Sequence, residues 1–154
     1  QLERITDTNF KVIELPKTKM ARSGNHSLKS FDKWWSDKYN KSKNLYPKDF
    51  IWNNVLTKKL EWIYVLEDHE DSGIYDTFMF PGGLYATITT KDTSKEKSKG
   101  YFTLLSQINK SNDYQVLNEE SIDYHYRYPM GHVSTPQGFK EHQFTIYIPI
   151  ILKE

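Results

Sequence analysis

Four strand-like segments of this chain sort their large side chains by type. In residues 50–55, Trp52 is out of phase with Ile51 and Val55. In residues 61–67, Trp62 and Tyr64 alternate with Ile63 and Val65. In residues 83–90, Tyr85 alternates with Leu84, Ala86 and Ile88. In residues 144–150, Tyr147 alternates with Ile146 and Ile148, although Phe144 shares the aliphatic phase. Successive side chains on a strand point to opposite faces. The pattern therefore predicts a sheet with one aliphatic face, suited to packing on helices, and one face that is aromatic and part-polar. A pocket for a flat organic ligand is one use for such a face. Simple coverage of the sheet, or a joint between two modules, is the other, because aromatics dominate ordinary cores too.

Composition narrows the alternatives. The chain has 154 residues, enough for one domain or two small joined modules with a core of their own. Its net charge of +1 argues against a strong polyanion or membrane field. The aromatic content is high: 4 Trp, 11 Tyr and 8 Phe. There is no cysteine, which excludes disulfides, thiol catalysis and thiolate metal sites and suits a reducing cytoplasm. No apolar run is long enough to cross a membrane. The five histidines show no pair at metal-ligand spacing, so neither a metal nor a cofactor is expected. The acidic stretch 67–71 lacks the spaced oxygens and central glycine of a calcium loop, and the lysines of 91–99 read as a solvated loop.

The order of elements is repetitive. A strand over 10–15 ends at Pro16, and a helix capped by Ser27 or Asn25 runs to about residue 41, with Leu28, Phe31, Trp35 and Tyr39 at helical spacing. Strands follow at 50–55 and 61–67. After an acidic loop, strands at 76–80 and 83–90 lead into a helix near 95–110, then strands at 114–117, 122–128 and 143–152, with a loop over 131–138. Alternating strands and single helices with short antiparallel connections predict an α+β fold of two β-α-β-β modules, about 1–72 and 73–154.

Several of these segments resemble the GyrI-like family. Residues 12–16 (Val-Ile-Glu-Leu-Pro) resemble its opening strand, and 30–35 (Ser-Phe-Asp-Lys-Trp-Trp) its first helix. Residues 80–86 (Phe-Pro-Gly-Gly-Leu-Tyr-Ala) resemble its Pro-x-Gly-x-Tyr-Ala strand entry, and 146–150 (Ile-Tyr-Ile-Pro-Ile) its closing strand. The family includes effector-binding, multidrug-sensing domains of MerR- and AraC-type transcription regulators, and standalone proteins. The resemblance implies two modules in a pseudo-twofold arrangement, an antiparallel sheet with helices on one face, and a central ligand cleft lined by aromatics. It implies small lipophilic aromatic cations as partners, with no membrane and no direct nucleic-acid contact from this segment. No helix-turn-helix signature is present. Nothing resembles the long linker helix of MerR-type regulators, so a standalone protein is expected, with an upstream DNA-binding domain as the alternative. Some standalone members hydrolyse cyclopropane-bearing toxins, so a hydrolase using the same cleft is the alternative function.

On this reading the aliphatic phase meets the helices, and the phase of Trp52, Trp62, Tyr64, Tyr85 and Tyr147 lines the cleft. Tyr124 and Tyr126 share a phase with Tyr128 and form either a wall over the cleft or a half-exposed hairpin face. Trp35 continues the apolar helix stripe. Family members often carry a buried glutamate on the last strand two residues before the position of Tyr147, where this chain has Thr145. The carboxylate expected to face a cation must then come from elsewhere. Glu14, out of phase with Ile13 and Leu15, and Glu141, in phase with Thr145, are the candidates, as ligand counter-charge, as a proton-transfer group, or simply as solvated strand-end charges.

Overall fold

A computed structural model describes residues 10–41, 48–54, 58–117, 126–134 and 142–153. Nine strands and two helices are formed by the described residues. They are β1 (Lys11–Leu15), β2 (Thr18–Arg22), α1 (Leu28–Lys41), β3 (Asp49–Asn54), β4 (Lys59–Val65), β5 (Asp76–Phe80), β6 (Gly83–Lys91), α2 (Ser94–Lys110), β7 (Tyr114–Val116), β8 (Met130–Ser134) and β9 (Gln143–Leu152). All pairings are antiparallel, in the order β1-β6-β9-β8-β3-β4-β2-β5, with β7 added along the C-terminal part of β9. The fold is α+β, as expected.

That order reads the same from either end once β1 is matched with β5, β2 with β6, β3 with β8 and β4 with β9. Each half is a β-β-α-β-β unit, the second with the short β7 inserted after α2, and the first strand of each is added to the sheet of the other: β1 pairs with β6, and β5 with β2. The expected β-α-β-β unit thus carries an extra strand. In the first half it is β2, between the Pro16 that ends the expected first strand and the expected helix caps. Met20 is buried on one side of β2 and Ala21 on the other, so the strand shows no alternation.

Short connections make this sheet curl. Only Pro16 and Lys17 separate β1 from β2, and only Pro81 and Gly82 separate β5 from β6. Three Cα–Cα steps reach at most about 11 Å. Laid flat, each of these strand pairs would sit six strand spacings apart, roughly 29 Å. The two ends of the sheet must therefore approach one another, although β1 and β5 do not pair.

The helices pack on the outer face. Thr93 caps α2, its hydroxyl accepting from the Glu96 amide at 3.2 Å, and the Thr-x-x-Glu spacing is that of a capping box. Leu104 and Ile108 of α2 are fully buried against Ala86, Ile146, Ile148 and Ile150, the predicted aliphatic phase. Ser27, one of the two predicted caps, accepts from the Ser30 amide at 3.0 Å at the start of α1. Phe31 anchors α1, fully buried among Tyr64, Tyr75 and Trp62. Truncating such a ring costs about 3–5 kcal/mol.

Candidate functional site

The inner face of the curled sheet is filled with rings. Phe50 and Trp52 of β3, Phe78 and Phe80 of β5, Tyr85 of β6, Tyr147 of β9 and Tyr128 form one buried cluster with Met20, Ile63 and Met130. Ile13 and Leu15 pack against it from β1. The rings meet edge-on or offset: Phe50 and Tyr147 have centroids 5.3 Å apart at 90°, and Phe80 stacks on Tyr85 at 6.1 Å. Burial holds the hydroxyls of Tyr128 and Tyr147 above the ordinary tyrosine range. Tyr85 is pushed up to about 12 by burial, with Arg127 opposing.

Glu61 lies in the middle of this apolar surface, 2% exposed. Its carboxylate accepts from Arg22 Nε at 3.0 Å, from Trp52 Nε1 at 3.1 Å and from Asn54 Nδ2 at 2.8 Å. Arg22 Nη2 lies 3.0 Å from the carboxylate and completes a two-pronged contact. The Arg22 guanidinium also lies 5.7 Å from the ring centres of both Phe78 and Tyr126. Burial works against its charge, but Glu61 outweighs this and raises the Arg22 pKa above its ordinary value. Tyr126, next to it, stacks parallel to Trp52 at 6.5 Å and holds a positive φ of 65°. A non-glycine residue in that region carries a strain of about 1–3 kcal/mol, a cost typical of functional surfaces.

The expected site residues divide between the two faces. Trp52, Tyr85, Tyr126 and Tyr147 come together on the inner face, as does Thr145, whose hydroxyl meets that of Thr89 at 3.0 Å. Trp62 and Tyr64 do not. Residues directly opposite in an antiparallel pair share a face. Trp52 is opposite Glu61, and Ile51 is opposite Trp62, so β4 sends Glu61, Ile63 and Val65 inward and its aromatics outward. Trp62 packs under α1 on Trp35, centroids 4.9 Å apart, and donates to the buried Asp49 carboxylate at 3.0 Å. Tyr64 sits beside Trp34 and donates to Glu70 at 3.2 Å. Trp35, on α1 itself, packs with them on that outer face.

Glu14 is also displaced from its expected place. It is opposite Leu84, on the face that carries α2, and is exposed, while its neighbours Ile13 and Leu15 point inward. Tyr124 and Glu141 lie outside the described residues. Glu61 was not singled out from the sequence. Its signal was there: it shares the phase of Ile63 and Val65, so a strand that buries them must bury it too.

No protein-family model and no curated protein sequence matches this chain. Solved structures do match. SAV2435 bound to tetraphenylphosphonium aligns over 93% of this chain and 94% of its own, at 9% identity and a TM-score of 0.52. The EcmrR C-terminal domain aligns over 95% and 99%, at 14% identity and a TM-score of 0.56. The chain has a GyrI-like fold. A hydrolase from Listeria innocua shares it as well, over 92% of this chain and 91% of that one, at 9% identity and a TM-score of 0.58. At the last-strand position where the resemblance implies a glutamate this chain has Thr145, and among the described residues the inner face buries the carboxylate of Glu61 of β4 instead. No helix among the described residues is long and apolar enough to cross a membrane.

Proposed function

We propose that this protein is a cytoplasmic small-molecule-binding domain that takes lipophilic aromatic cations onto the inner face of its sheet. One observation carries the reading: Glu61 and the rings of Phe78 and Tyr126 already hold a flat cation, the Arg22 guanidinium. A ligand cation would take the same place between carboxylate and rings, with Arg22 swinging toward solvent, where 18% of its side chain is already exposed. Each ring contact is worth about 0.5–2 kcal/mol to a desolvated cation. Tetraphenylphosphonium bound to SAV2435, a protein of the same fold, supports this choice of ligand class. The domain would act as a standalone binder or as the effector part of a transcription regulator.

The hydrolytic alternative requires a carboxylate free to activate water. Among the described residues, Glu61 in the free protein is occupied by Arg22, Trp52 and Asn54, and Glu14 is on the outer face. Binding is therefore the better-supported reading.

The test is titration with tetraphenylphosphonium and with tetraphenylborate, its anionic counterpart of the same shape, following tryptophan fluorescence. The phosphonium should give saturable quenching that weakens in Glu61→Gln. Equal or tighter binding of the borate would overturn the cation reading.

A further inference from the structure

The second arginine of the inner face is held quite differently from the first. Arg127 is only 6% exposed. Its Nη2 donates to the Leu84 carbonyl at 2.7 Å. Its Nε is buried without a hydrogen-bond partner, and among the described residues it has no acidic partner in reach. The guanidinium lies 5.2 Å from the centre of the Tyr85 ring. Its flat face rests on Gly83, where a Cβ would stand 2.8 Å from Arg127 Cζ. The Tyr85 hydroxyl, on the same face of the sheet and within the field of Arg127, is likewise buried with no group at hydrogen-bond geometry.

An arginine does not relieve its burial by losing a proton. A buried cation is normally matched by an acid, and leaving it unmatched is costly. Arg22 has its acid in Glu61, whereas among the described residues Arg127 has only a carbonyl and a ring. The space over Gly83 is filled by the guanidinium itself, which leaves two unused donors on this face, the Arg127 Nε–H and the Tyr85 O–H, both of the kind that a carboxylate accepts from.

We propose that Arg127 and Tyr85 form a carboxylate-recognition point in the cleft, so that the preferred ligand is an aromatic molecule bearing an acidic group as well as a cationic one. This rests on the reading of the inner face as the ligand cleft and adds a second pole to it. The cationic end of the ligand goes to Glu61 and its carboxylate goes to Arg127.

Rhodamine B and its ethyl ester separate the two ideas, because they share one cationic chromophore and differ in a free carboxylate. Binding to the full chain is read by fluorescence anisotropy. If Glu61 alone governed charge preference, the ester would bind at least as well as the acid. The carboxylate site predicts the acid to bind about tenfold tighter or more, the span of one charge-assisted hydrogen bond. In Arg127→Gln that ratio should fall below about twofold with the ester's affinity unchanged, and Arg127→Lys should retain part of it. The ester binding the wild type as tightly as the acid would overturn the carboxylate site and leave the cleft reading intact. Equal loss of both dyes in Arg127→Gln would reduce Arg127 to a structural part and also overturn the site. Saturable binding of neither dye would remove both readings. Should the Arg127 variants fail to fold, the wild-type ratio alone decides.

Discussion

Changing Glu61 to glutamine removes one charge from the inner face and leaves every neighbour in place. Arg22 would lose the carboxylate that it contacts at 3.0 Å through Nε and Nη2, while four-fifths of its side chain stays buried. Removing one member of a buried ion pair costs about 3–5 kcal/mol, because the survivor keeps its desolvation penalty. Here part of the charge is still met by the rings of Phe78 and Tyr126, worth about 0.5–2 kcal/mol each, and part by solvent. The expected loss is therefore about 2–3 kcal/mol. For a chain of this size that is roughly 4–12 °C in Tm. Urea unfolding should show a lower midpoint with an unchanged slope. The decisive arm is a double-mutant cycle with Arg22→Met. With both charges gone, Arg22→Met/Glu61→Gln should regain most of the stability lost by Glu61→Gln, giving a coupling of at least about 1.5 kcal/mol. A coupling near zero, with Glu61→Gln costing under about 0.5 kcal/mol, would mean that the pair is effectively solvated. The buried carboxylate could then not select a cation.

Face assignment gives a second prediction: Trp52→Phe should abolish most ligand-induced quenching, and Trp62→Phe should leave it intact, which single-tryptophan emission spectra will test. Gly83→Ala should destabilise by about 1–3 kcal/mol, since φ is +115° there and the new methyl would press on Arg127, with the change read from urea midpoints. Stability should also fall at high pH. Burial raises the folded-state pKa of Tyr85 to about 12 and raises those of Tyr128 and Tyr147. A raised folded-state pKa means that stability is fully present below the unfolded value of about 10 and is lost as pH rises through the folded value. Urea midpoints measured between pH 8 and 12 should therefore decline only above about pH 10, and a flat profile would count against buried hydroxyls.

What was legible in the sequence was what depends on one strand at a time. The alternation of Leu84, Ala86, Ile88, Ile146 and Ile148 against Tyr85 and Tyr147 is reproduced by the two faces of β6 and β9. What was not legible depends on how strands pair. Trp52 and Trp62 look equivalent along the chain, yet the register of β3 on β4 sets Trp52 opposite Glu61 and sends Trp62 to the other side. β8 was read as loop because Gly131 resembles a turn signal. In place, Gly131 is a point of close approach, where a Cβ would lie 2.0 Å from the Phe144 ring. β2 was missed because its two buried residues, Met20 and Ala21, are adjacent and face opposite sides, so the strand carries no periodic signature. Glu61 escaped notice for a related reason: a charged residue reads as solvent-facing until its strand neighbours fix the direction of its side chain.

The exchange of first strands between the halves has a consequence for how this chain can be divided. The arrangement is the one that two copies of a shorter β-β-α-β-β chain would make by trading their leading arms around a twofold axis, with Lys11 reaching Thr87 here as it would reach a sister molecule there. A half produced alone would lack an edge strand of its own sheet and leave the neighbouring strand unpaired. Its route to a complete sheet is to recruit a second copy, so the covalent link between the halves turns a pairing between molecules into one that is independent of concentration.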